Sequence, residues 1–141
     1  MPAGELISSN RRDKPDLTDP FRPVSPSGPL TPYDIDRIER AISNADKDSG
    51  LHFSVFVGVS EEDARSYAIR LLGALEDPDR SVLVLVDPNF RVLEIVTGSV
   101  ARLALDDREC ELAAASMRSS FEAGDLVGGL TAGVQQLGAA T

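Results

Sequence analysis

Apolar and polar positions divide the chain into two unlike parts near residue 30. Beyond that point the pattern is regular. Ile35, Ile38, Ile42 and Ala45 recur at helical spacing, the single apolar stripe of an amphipathic helix. Thr31-Pro32-Tyr33-Asp34 opens that helix with threonine at the N-cap, proline at the first helical position and an acid at the third. Ser49-Gly50 closes it. Leu51 to Val59 alternates apolar with small or polar residues and then turns apolar throughout, which predicts a strand with one face more buried than the other. Ser60-Glu61-Glu62-Asp63 predicts a second N-cap with an acidic first turn. The helix it starts carries Ala64, Tyr67, Ala68, Leu71, Leu72 and Leu75 on its inward face.

After a turn at Glu76 to Arg80, Ser81 to Val86 is a continuous apolar run, suited to a central strand covered on both faces. Asp87-Pro88-Asn89 turns the chain, and Phe90 to Thr97 returns as the second strand of a hairpin. Ser99 to Leu105 reads as a short connection. Asp106 caps a third helix, with Glu109 in capping-box position and Leu105 set to staple against Cys110. Its face is Cys110, Ala113, Ala114, Met117 and Phe121. Ala123-Gly124 stops it, and Asp125 caps a fourth helix lined by Leu126, Leu130, Val134 and Leu137. The order αβαββαα predicts a three-layer α/β/α sandwich with a small mixed sheet over residues 30–141.

Residues 1–29 are different material. They hold six of the nine prolines and few aliphatic side chains. Such a segment buries too little apolar surface to offset the entropy of ordering it, so a disordered or loosely docked tail is expected. Phe21 and Val24, in Asp19-Pro20-Phe21-Arg22-Pro23-Val24, are its candidates for docking onto a surface.

Composition narrows the function. With 5% aromatic residues and no tryptophan, the core must be aliphatic. The four basic and four acidic side chains of residues 1–29 cancel, so the whole net charge of −9 belongs to the folded part. That argues against nucleic acid and anionic membranes as partners, since phosphate binding needs clustered Lys and Arg. One cysteine and one histidine exclude a disulfide framework and a thiolate zinc site. No apolar run reaches the roughly 18 residues of a transmembrane helix, and the N-terminus lacks the basic-then-apolar pattern of a secretory signal.

Several phrases resemble the TPM domain family. They are Leu30-Thr31, the strand ending near Gly58, Tyr67-Ala68, Leu83-Val84-Leu85-Val86-Asp87, Arg91 to Gly98 and Leu105-Asp106-Asp107. The closing Phe121-Glu122-Ala123-Gly124-Asp125-Leu126-Val127-Gly128-Gly129-Leu130 carries the resemblance most specifically. The resemblance covers Leu30 to about Leu137. It implies an α/β/α sandwich, weak acid phosphatase activity or calcium binding in some members, and assistance to membrane-protein assemblies. The chain departs from that family in lacking a signal peptide and a transmembrane anchor. A cytoplasmic location is therefore expected, with peripheral membrane association as the variant the resemblance suggests.

The strand at His52 to Val59, the following helix and the strand at Val82 to Val86 form a βαβ unit. Ligands of such units sit outside the carboxyl ends of the strands. Here those ends carry Gly58, Ser60, Asp87 and Asn89. Glu61, Glu62 and Asp63 would repel a bare phosphate there. Asp87, at a strand tip, is the first candidate for a hard-cation ligand, and Asp125 is expected to return towards it. Asp107 matches the resemblance but should lie near the opposite edge. Asp87, Asp107 and Asp125 are the expected metal residues and calcium the expected ion. His52 reads as a surface strand residue and Cys110 as core, and no nucleophile–base pair can be named. The expected function is a binding or adaptor domain that recognises a protein partner. The alternative is a metal-assisted phosphatase of low activity.

Overall fold

The computed structural model describes residues 4–8, 30–60, 62–87 and 92–141. Thr31 caps α1 (Pro32–Ser49) as its sequence predicts. The Thr31 hydroxyl accepts the Asp34 backbone N–H at 3.1 Å, and the Asp34 carboxylate accepts the Thr31 N–H at 3.0 Å. Ile38, Ala41, Ile42 and Ala45 form its buried stripe. Two residues later β2 (His52–Gly58) begins, held to the end of α1 by Phe53 N–H donating to Asp46 Oδ1 at 2.8 Å. Then follow α2 (Ala64–Gly73), a 3-10 turn at Pro78–Arg80, β3 (Ser81–Asp87) and β4 (Val92–Thr97). The chain closes with α3 (Ala101–Ala104), α4 (Asp107–Glu122) and α5 (Leu126–Ala140).

The sheet has the order β1-β2-β3-β4, with β1 (Gly4–Ser8) on one edge. β2 and β3 are parallel, as a βαβ unit requires, and β3–β4 is the antiparallel hairpin. Strand alternation sorts the side chains into two layers. Phe53, Val55 and Val57 of β2, paired with Val82, Val84 and Val86 of β3, face a layer built from α1, α4 and α5. Phe56, Leu83, Leu85 and Val96 face α2, where Phe56 meets the Tyr67 ring edge-on at 5.6 Å. The result is the three-layer mixed α/β architecture.

Three local features differ from the sequence expectation. Gly4–Ser8, placed in the tail, is an edge strand antiparallel to β2. Two aliphatic residues form too short a run to read as a strand, and its partner lies about fifty residues away in the chain. The rest of the tail, including Phe21 and Val24, falls outside the described residues, as do residues 88–91, where the hairpin strand was expected to begin. The connection before Leu105 contains α3, a single turn too short for a periodic pattern to register. The cap of α2 is Asp63, not Ser60: the Asp63 carboxylate accepts the Ser66 backbone N–H at 3.2 Å. Both residues suit an N-cap, and Asp63 stands directly before Ala64, the first residue of the apolar stripe.

Candidate functional site at the carboxyl end of the sheet

Topology gathers particular residues at the end of the sheet where β2 and β3 finish. Because α1 leads into β2 through only two residues, its first turn lies at that end. α2 starts there, immediately beyond β2. Helix α4 rises alongside β4 over 16 residues, about 24 Å at 1.5 Å each, so α5 begins there too. Three helix N-termini therefore converge on the carboxyl ends of the parallel pair. Each is met by a side chain of its own: Thr31 on α1, Asp63 on α2, and Asp125 on α5, whose carboxylate accepts the Gly128 N–H at 2.9 Å. Carboxylates are favoured at these positive helix ends.

The rim of this end is acidic. Glu62, Asp63, Glu122 and Asp125 are exposed and Asp34 is half-buried. Arg70 reaches back to Glu62 at 3.5 Å, a partial neutralisation. Beneath the rim, Asp87 is only 2% exposed, on the sheet face that also carries Leu83 and Leu85. Two residues past β2, the Ser60 hydroxyl oxygen is buried with no hydrogen-bond partner, which among the described residues is true of no other buried side-chain polar atom. Leaving such a group unsatisfied costs about 1–3 kcal/mol.

The three residues expected to hold a metal are not brought together. Asp87 faces the α2 layer. Asp125 stands at the same end of the sheet but in the opposite layer, occupied as a helix cap. Asp107, the first residue of α4, lies at the other end. Among the described residues no group of three or more His, Cys, Asp or Glu side chains gathers closely enough to hold a metal ion.

The other reactive side chains lie elsewhere. His52 is exposed and stands 3.8 Å from Asp77 at the far end of the sheet. Cys110 is half-buried in α4 against the core. Burial pushes its thiol up from the ordinary 9.0 to about 11, helped by the carboxylates of Asp107, Glu109 and Asp106. The raised value means that the folded state holds the Cys110 proton after the unfolded chain has released it. Stability should therefore fall as pH rises from about 9 to about 11, and Cys110→Ala should flatten that limb in urea melts taken across the range. At pH 8 the native thiol should react with iodoacetamide about 100-fold more slowly than a free cysteine.

Four mixed strands between one helical layer of α1, α4 and α5 and a second formed by α2 define a small α/β/α domain. Residues 2–138 match the family described as Domain of unknown function (DUF5130), and the chain belongs to that family. It is 28% identical over 139 residues to uncharacterised proteins from two strains of Mycobacterium tuberculosis, CDC 1551 and H37Rv. That match covers 99% of this chain and 82% of each of theirs. The fold is similar to the NMR structure of the BA42 protein from the psychrophilic bacterium Bizionia argentinensis, with TM-score 0.72 and 21% identity. There 81% of this chain and 82% of the other are covered. It is also similar to the N-terminal domain of the cg2496 protein from Corynebacterium glutamicum, with TM-score 0.66, 18% identity, and coverage of 79% and 74%.

The family match corrects the resemblance to the TPM domain. The phrase that carried it most, Phe121 to Leu130, has a local structural explanation. Gly124 takes a positive φ of 85° beyond the end of α4, Asp125 caps α5, and Leu130 is buried in the core. A Gly-Asp pair followed by an apolar residue is what two antiparallel helices need at a tight turn, whichever family they belong to. Among the described residues, no helix is long and apolar enough to cross a membrane.

Proposed function

We propose that this chain is a protein-binding domain that presents its acidic end to a basic surface of its partner. The observation that carries this reading is the collection of exposed carboxylates, Glu62, Asp63, Glu122 and Asp125, at the end of the sandwich where three helices begin. The net charge of −9 adds a long-range field of the same sign. Such a surface speeds encounter with a basic partner and disfavours acidic ones. The buried Ser60 hydroxyl, which has no hydrogen-bond partner, lies just past β2 at this same end.

The test keeps the helix caps while removing charge, since asparagine caps about as well as aspartate. Glu62→Gln, Asp63→Asn and Asp125→Asn in one chain should leave the melting temperature within a few degrees of the parent. Its affinity for a partner captured from native cells should drop about tenfold or more, most of the loss appearing as slower association at low salt. Equal affinity of the variant and the parent would remove this reading.

A further inference from the structure

β1 is attached to the domain differently from every other strand. Of its five residues only Ile7 is fully buried. Leu6 remains 45% exposed, and Gly4 is exposed. Its main contacts are with β2 and, on one side, α1. Residues 9–31 separate it from α1. Ser8 lies opposite Ser54, near the start of β2, whereas α1 begins at the carboxyl end. The seven residues of β2 span about 23 Å, a distance that far fewer residues than 9–31 could cross. A short edge strand with a single fully buried side chain opens locally at lower free energy than the sheet it borders.

We propose that β1 is an exchangeable cis occupant of the β2 edge, and that this edge accepts an extended segment of a partner protein by strand addition. The chemistry of that segment is read from β1 itself. It runs antiparallel to β2 and carries glycine opposite Gly58, because a Cβ at Gly4 would strike the Phe56 ring and come within 2.8 Å of the Val57 carbonyl oxygen. Opposite Val55 it carries an aliphatic side chain, filling the slot that Ile7 takes in the core. Ladder hydrogen bonds supply affinity in such docking, and alternate side chains supply selectivity. Gly58 also belongs to the acidic end, so the start of the added strand would lie at the same end of the sheet. The inference rests on the protein-binding reading only for its biological use, since the exchange itself is testable with no partner.

The clash at Gly4 provides a selective handle. Gly4→Val should release β1 while β2–β3 amide protection is retained. The probe is a fluorescein-labelled peptide with the sequence of residues 1–9. It should bind the Gly4→Val chain about tenfold more tightly than the parent, whose tethered strand competes for the edge. It should bind equally well when the acidic-end substitutions Glu62→Gln, Asp63→Asn and Asp125→Asn are added, which separates this inference from the acidic-end reading. In the parent, the β1 amides bonded to β2 should exchange with solvent about 100-fold faster than those between β2 and β3. The proposal is overturned if the peptide fails to prefer a Gly4→Val chain that keeps its β2–β3 protection. It is overturned equally if Gly4→Val abolishes that protection, or if parent β1 amides exchange only as slowly as the central ones, because β1 would then be part of the cooperative core.

Discussion

Gly98→Ala should lower the melting temperature by about 10 °C, corresponding to about 3 kcal/mol of lost stability. Gly98 follows β4 and sits where three backbone segments meet. Its N–H donates to the Ser81 carbonyl at 2.9 Å, its carbonyl accepts the Arg102 N–H at 3.0 Å, and the neighbouring Val100 N–H donates to Asp79. A Cβ there would run into the Pro78 carbonyl oxygen and come within 2.5 and 2.6 Å of the Asp79 carbonyl oxygen and carbon. These atoms are backbone, so no rotamer change relieves the overlap. Either the 3-10 turn or the start of β3 has to move. Thermal melts of parent and variant decide it, and a drop under about 3 °C would mean that the turn shifts freely.

Phe53→Ala should cost about 3–5 kcal/mol. Phe53 is among the largest fully buried side chains, in the layer between the sheet and α1, α4 and α5. With no tryptophan and few aromatic residues in the chain, little else could fill that volume. Leu103→Ala is the matched control. Leu103 is 87% exposed, and its truncation should change stability by less than about 0.5 kcal/mol. Urea unfolding of the two variants separates burial from hydrophobicity as the cause. A small loss at Phe53 would mean that the surrounding aliphatic side chains collapse into the space.

The elements that could be read from sequence are those whose signal is local. The Thr31–Asp34 capping box, the apolar run of β3 and the helical stripe of α4 each encode themselves within a few residues. So does the parallel order of β2 and β3, because a ten-residue helix between two strands leaves little other choice. The elements that escaped depend on distant partners or on a choice between equals. β1 is stabilised by β2, about fifty residues away, and its own five residues carry almost no pattern. Ser60 and Asp63 compete for one cap, and only the packed position of Ala64 decides between them. That decision matters for the site, because it leaves the Ser60 hydroxyl buried without a partner rather than spent on a helix end.

The three-acid metal set shows the same limit from another side. Chain direction alone brings Asp125 to the Asp87 end and Asp107 to the other end, and both inferences follow from helix length. It does not reveal that the sheet itself stands between Asp87 and Asp125. That depends on the parity of β3, in which Val84 and Val86 turn to the larger helical layer and Asp87 to the smaller. A single residue of register would have put Asp87 on the other face.

An NMR titration of the labelled chain with its captured partner decides whether the acidic end is the binding surface. Amide shift changes should centre on Asp34, Glu62, Asp63 and Asp125, weaken steeply between low and physiological salt, and be lost in the Glu62→Gln, Asp63→Asn, Asp125→Asn chain. Shift changes centred instead on α3 and the exposed face of α4 around Leu103 and Leu112, unchanged by salt and by those substitutions, would contradict it.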